Sequence, residues 1–98
     1  MLLQIEDIKR SVTKLAKKYG AERVYLFGSY ARGEATEQSD IDLRIDKGSI
    51  VGGIALAGLC LDLEDDLGKS IDLVTTGGLD ERFLRAIKSE ERLIYEAE

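Results

Sequence analysis

The chain has 98 residues, 44% hydrophobic and 34% charged, which suits one compact domain spanning 1–98 and not a disordered tail. Acidic residues outnumber basic ones 19 to 14, giving a net charge of −5, which argues against direct nucleic-acid binding because that needs a basic stripe to displace counterions. A single cysteine, Cys60, and no histidine exclude an internal disulfide, a cysteine-based zinc cluster and any histidine base, so carboxylates must carry any acid–base or metal chemistry.

The opening "MLLQIEDIKR" lacks the basic start and apolar stretch of a signal peptide, and the longest apolar run, 50–61, is too short to span a bilayer. The expected location is cytoplasmic, without membrane contact. Residues 2–19 place Leu2, Ile5, Ile8, Val12, Leu15 and Tyr19 at helical spacing, and Gly20 follows as a stop. "RVYLF", 23–27, predicts a buried strand running into Gly28-Ser29, then a short helical turn over 29–33 and a polar loop over 34–39.

Residues 40–46, "DIDLRID", alternate strictly, with Asp40, Asp42, Arg44 and Asp46 on one side and Ile41, Leu43 and Ile45 on the other. Residues 50–67 predict a second long helix closed by Gly68. Its surplus apolar surface over 50–61 is core or a partner contact, with core favoured. Within it Cys60 reads as packing, and Glu64, Asp65 and Asp66 as a solvated helix end. "SIDLVT", 70–75, repeats the strand alternation with Asp72 outward, Gly77-Gly78 breaks the chain, a helix covers roughly 80–89, and "RLIYE" suggests a short edge strand. This order predicts an α+β sandwich with helices on one sheet face.

Aspartate is a poor strand former, and two on one face repel, so the Asp40/Asp42 pair requires a compensating role. Carboxylates at i and i+2 project together, and hard divalent cations prefer such oxygen ligands. Asp72 is the candidate third carboxylate, from the neighbouring strand. Gly28-Ser29 sits where a strand yields to a helical turn, a place where the backbone can approach a phosphate and the serine hydroxyl can donate to it. Arg32 has two readings, steadying phosphate oxygens or pairing with Glu34 or Glu37. Arg44 reads as a charge-balancing neighbour of the aspartates.

Gly28-Ser29, ten intervening residues and Asp40-Ile41-Asp42 resemble the Gly-Ser-x10-Asp-x-Asp signature of the DNA polymerase β-like nucleotidyltransferase superfamily. "ARG" at 31–33 and "SDIDL" at 39–43 are similar to its minimal branch, the MNT domain, over nearly the whole chain. The resemblance implies a nucleotidyltransferase-like mixed β-sheet with helices packed on one face. It also implies that Asp40 and Asp42 bind metal, that Asp72 helps bind metal or activates the acceptor hydroxyl, and that Gly28 and Ser29 hold nucleotide phosphates. The implied cofactor is Mg²⁺, as two ions, with ATP as substrate. The implied biology is that of an antitoxin which transfers AMP to a tyrosine of a cognate HEPN toxin and forms a hetero-oligomer with it. Two alternatives stand beside it: neutralisation of the toxin by binding alone, and nucleotidyl transfer to a small molecule such as an aminoglycoside.

Overall fold

The computed structural model describes residues 2–98. Helix α1, Ile5–Tyr19, opens with the Gln4 backbone N–H donating to the Asp7 carboxylate at 3.0 Å and closes on Gly20 in the left-handed region. Strand β1, Arg23–Phe27, leads into a one-turn helix α2, Gly28–Arg32, and a loop returns to β2, Ile41–Asp46. Helix α3, Gly53–Leu67, carries the chain back to β3, Ile71–Thr75. A 3₁₀ turn at Thr76–Gly78, helix α4, Glu81–Lys88, and strand β4, Arg92–Glu96, complete the chain.

The four strands form one mixed sheet in the order β3-β2-β1-β4. β1 pairs antiparallel with β2 and β4, while β2 and β3 run parallel. A parallel pair needs a long crossover, and α3 supplies it. Ile41, Leu43 and Ile45 of β2 and Val24 and Leu26 of β1 turn one sheet face into the core, where Ile8, Val12 and Leu15 of α1 and Leu59 and Leu63 of α3 meet them. Each such aliphatic side chain contributes about 1.5–3 kcal/mol by leaving water. The alternation of residues 41–46 therefore has its predicted cause: one face is core.

Helices on one sheet face describes α1 and α3. Helix α4 is the exception, because its Phe83 meets the edge of Phe27 with ring centroids 6.0 Å apart, and Phe27 alternates with the core residues of β1. That second face carries Asp42, Arg44 and Asp46 opposite Phe27, Tyr25 and Arg23. The helix predicted over 50–67 starts later, at Gly53: Gly52 lies at φ +84°, outside helical conformation. Ile50 is buried in the preceding loop, but Val51, Ile54 and Leu61 are 85%, 92% and 62% exposed, so these three are surface and not the core expected of them. Among the described residues no helix is long and apolar enough to cross a membrane.

Candidate active site

Register brings the site together at the end of β1 and the beginnings of β2 and β3. Asp42 stands opposite Phe27 on one side and Asp72 on the other. Residues in register on adjacent strands project from the same face, with strands about 4.8 Å apart, so Asp42 and Asp72 are immediate neighbours. Asp40 lies one residue ahead of β2 and is exposed, a correction to its expected place within the strand. Sheet-like pairing starts with the Ile41 N–H, which donates to the Ser70 carbonyl at 3.0 Å.

Gly28 follows Phe27 with φ +75°, and a Cβ there would lie 2.2 Å from Asp42 Oδ2. The glycine is thus required twice, for its left-handed backbone and for the space that the Asp42 carboxylate fills. Asp42 is half-buried, and burial, reinforced by Asp72 and Asp40, pushes its carboxyl up to about 6 against the opposing pull of Arg32. No hydrogen bond or ion pair among the described residues engages the carboxylates of Asp40, Asp42 or Asp72. Some acids elsewhere are engaged, Asp46 by Arg23 at 2.9 Å, Asp62 by the Tyr19 hydroxyl at 2.7 Å and Asp66 by the Ser11 hydroxyl at 2.6 Å, while Glu6, Asp65 and Glu81 make no hydrogen bond or ion pair among the described residues.

The oxygens of Asp40, Asp42 and Asp72 are donors of the kind that suits a hard divalent cation, with Asp42 and Asp72 in register and Asp40 two residues from Asp42. Among the described residues no three acidic or cysteine side chains converge tightly enough to enclose an ion.

The Ser29 hydroxyl makes no hydrogen bond among the described residues, while Gly28 and Arg32 are engaged. Glu90, unremarked in the sequence, accepts the Gly28 N–H at 2.9 Å and Arg32 Nη1 at 2.8 Å, both on Oε2. Arg32 also donates from Nε to Glu34 at 2.9 Å, as one of its two readings anticipated. The adjacent Glu91 forks onto Arg44, accepting Nε at 3.0 Å and Nη2 at 2.8 Å. Arg44 is only 4% exposed, stacks 3.9 Å over the Tyr25 ring and reaches Thr76 at 2.7 Å, so it is a buried clamp and not simply a charge-balancing neighbour. The acids of α3 also differ from the solvated end expected: Glu64 accepts the Ile71 N–H at 2.9 Å, next to Asp72, and Asp66 binds Ser11 and Lys14. Cys60 is half-buried with its thiol toward the Ile71 carbonyl, and burial pushes that thiol up, consistent with packing.

The mixed sheet thus presents a glycine-serine turn beside a pair of aspartates in register on adjacent strands. Residues 10–98 match the family model described as polymerase beta, nucleotidyltransferase, and the chain belongs to that family. The protein adenylyltransferase MntA of Thermococcus cleftensis is 32% identical over 93 residues, covering 91% of this chain and 94% of that protein. A solved structure described as a candidate minimal nucleotidyltransferase superposes with a TM-score of 0.80 at 35% identity, over 92% of this chain and 95% of the other. A solved complex of tri-AMPylated Shewanella oneidensis HEPN toxin with MNT antitoxin shares the fold, with a TM-score of 0.71 at 21% identity over 92% of this chain and 71% of that one. The mixed sheet with α1 and α3 on one face is the architecture of these minimal nucleotidyltransferases.

Proposed function

We propose that this nucleotidyltransferase is a protein adenylyltransferase that moves AMP from ATP to a tyrosine hydroxyl of a cognate HEPN toxin, and so acts as its antitoxin. The relatives' names support this reading: one is a protein adenylyltransferase, and another is an MNT antitoxin bound to an AMPylated HEPN toxin. The observation that carries the chemistry is Asp42 in register with Asp72 and packed against Gly28.

In the proposed reaction the acceptor oxygen attacks the α-phosphorus of ATP, a new oxygen–phosphorus bond forms, the bond to the bridging oxygen breaks, and pyrophosphate leaves. Asp72, exposed at the edge strand, takes the acceptor proton. Asp40, Asp42 and Asp72 would hold Mg²⁺, as two ions, which would supply Lewis-acid stabilisation of charge on the phosphate oxygens. Ser29 donates its free hydroxyl to phosphate. Gly28 supplies the left-handed turn that presents Ser29 and leaves room for Asp42, and Arg32 offers the guanidinium donors left over from Glu34 and Glu90. The test is transfer of label from α-labelled ATP to the purified partner toxin. Asp42→Ala should abolish it, and retained transfer would remove the catalytic assignment.

Neutralisation by occlusion is a second reading, favoured by the exposed Val51, Ile54 and Leu61 along one side of α3 and its approach. A double Asp40→Ala, Asp42→Ala variant that still protects cells from the toxin would select occlusion over catalysis.

A further inference from the structure

We propose that Glu90 is a positioning residue for the nucleotide: it acts through Arg32 and the Gly28 turn, holding both where the phosphates must lie. This rests on the functional reading above and goes beyond it, since Glu90 belongs to no motif of the site. One oxygen, Oε2, receives both Gly28 N–H at 2.9 Å and Arg32 Nη1 at 2.8 Å. Gly28 in turn lies against Asp42, so this carboxylate oxygen ties a cationic side chain to the backbone beside the site's most enclosed aspartate. Without it Arg32 keeps only Glu34, an exposed partner at the rim of the polar loop, and the guanidinium regains rotamer freedom.

Glu90 is itself held in place from both sides. The N–H groups of Glu90 and Glu91 both donate to the Ile87 carbonyl, at 3.0 and 2.8 Å, as α4 ends. Glu91 then grips the buried Arg44 on the same sheet face. Two consecutive glutamates therefore pin the α4–β4 junction to two arginines, one deep and one at the site, and the deep pair fixes where the other carboxylate can reach. A carboxylate with such a fixed backbone can set the angle of an arginine at little entropic cost.

The experiment titrates MgATP into the whole chain and follows AMP transfer to the toxin, for wild type, Glu90→Ala, Glu90→Gln, Arg32→Ala and the double Glu90→Ala, Arg32→Ala variant. Loss of one charge-assisted contact is expected to raise Kd and KM about tenfold in Glu90→Ala with kcat nearly unchanged, and about threefold in Glu90→Gln, whose amide oxygen still accepts. Because Glu90 works partly through Arg32 and partly through Gly28, adding Glu90→Ala to Arg32→Ala should weaken binding by clearly less than Glu90→Ala weakens the wild type. A purely structural role would instead lower the melting temperature and add fully to Arg32→Ala, overturning the proposal. Tighter binding in Glu90→Ala or Glu90→Gln would also overturn it, by making Glu90 a competitor for the phosphates. If Glu90→Ala fails to fold, Glu90→Gln carries the test, and wild-type affinity there defeats the proposal. A wild-type chain that does not bind MgATP would defeat the functional reading itself, whereas wild-type binding matched by both Glu90 variants defeats this inference alone.

Discussion

With its carboxyl pushed up to about 6 by burial and by Asp72 and Asp40, Asp42 binds a proton more tightly in the folded chain than the ordinary value of 3.8 allows when unfolded. The folded state therefore gains from that proton at low pH, and the gain is lost as pH rises through about 6. Asp46 and Asp66 shift the opposite way, Asp46 held down by Thr76 and Arg23 against its own burial, Asp66 by Ser11 and Lys14, so their contributions disappear only as pH falls below the ordinary carboxylate range. The two windows do not overlap. Asp42→Asn keeps the shape and removes the charge, so in the absence of divalent ions it should melt above wild type at pH 7.5, by about 4 °C or more, with the gap closing toward pH 4. Thermal melts by circular dichroism between pH 4 and 8 check this, and parallel curves for the two proteins would refute it. The same substitution should cost transfer activity, which is the expected conflict between stability and function at a crowded charged site.

At the scale of elements, the junction between α4 and β4 depends on Glu91 and Arg44. Arg44 is buried, bidentate to Glu91 and stacked on Tyr25, so removing one partner leaves a charge with little solvent around it. Breaking such a pair typically costs about 3–5 kcal/mol. Glu91→Ala should accordingly lose about 3 kcal/mol of unfolding free energy in urea titrations, while a double Arg44→Leu, Glu91→Leu variant should recover much of it; a loss under about 0.5 kcal/mol would show the clamp to be idle. Elements like these mark the limit of what was legible in the chain. Strand β1 falls where its aromatic and branched run predicts, and β2 is off by one residue, because alternation and glycine stops are local signals. Helix α3 begins late because the conformation of Gly52 overrides the apolar run that precedes it. The aspartates and Gly28 were readable from their spacing, since strand period alone puts Asp42 and Asp72 on outward faces. Glu90 and Glu91 were not: their partners lie 47 to 62 residues away, and nothing in "SEER" distinguishes a clamp from a solvated helix end.

For the molecule as a whole, charge is distributed so that most of the strain is local. The net charge is −5, yet Arg23, Arg32 and Arg44 all point at carboxylates on or beside the sheet face opposite α1 and α3, and none pairs with Asp40, Asp42 or Asp72. The three arginines thus balance acids of the framework and leave the clustered Asp40, Asp42 and Asp72 without a cationic partner among the described residues. A divalent cation that binds only the folded arrangement stabilises it by mass action, and a nucleotide that adds its phosphates to that cation should do more. At a hundredfold excess over Kd the gain is about 2.7 kcal/mol, which for a domain of this size corresponds to a rise of roughly 11–22 °C in melting temperature. Mg²⁺ alone should give a smaller rise than Mg²⁺ with ATP, and ATP in the presence of a chelator should give almost none, because its charge adds to the existing repulsion at Asp42. Asp42→Ala should abolish the combined shift, even though that variant starts from a chain relieved of its least comfortable charge. A melt of the wild-type chain that ignores both ligands at millimolar concentration would mean that the unpaired carboxylates are mere surface, and the nucleotide site would have to be sought elsewhere.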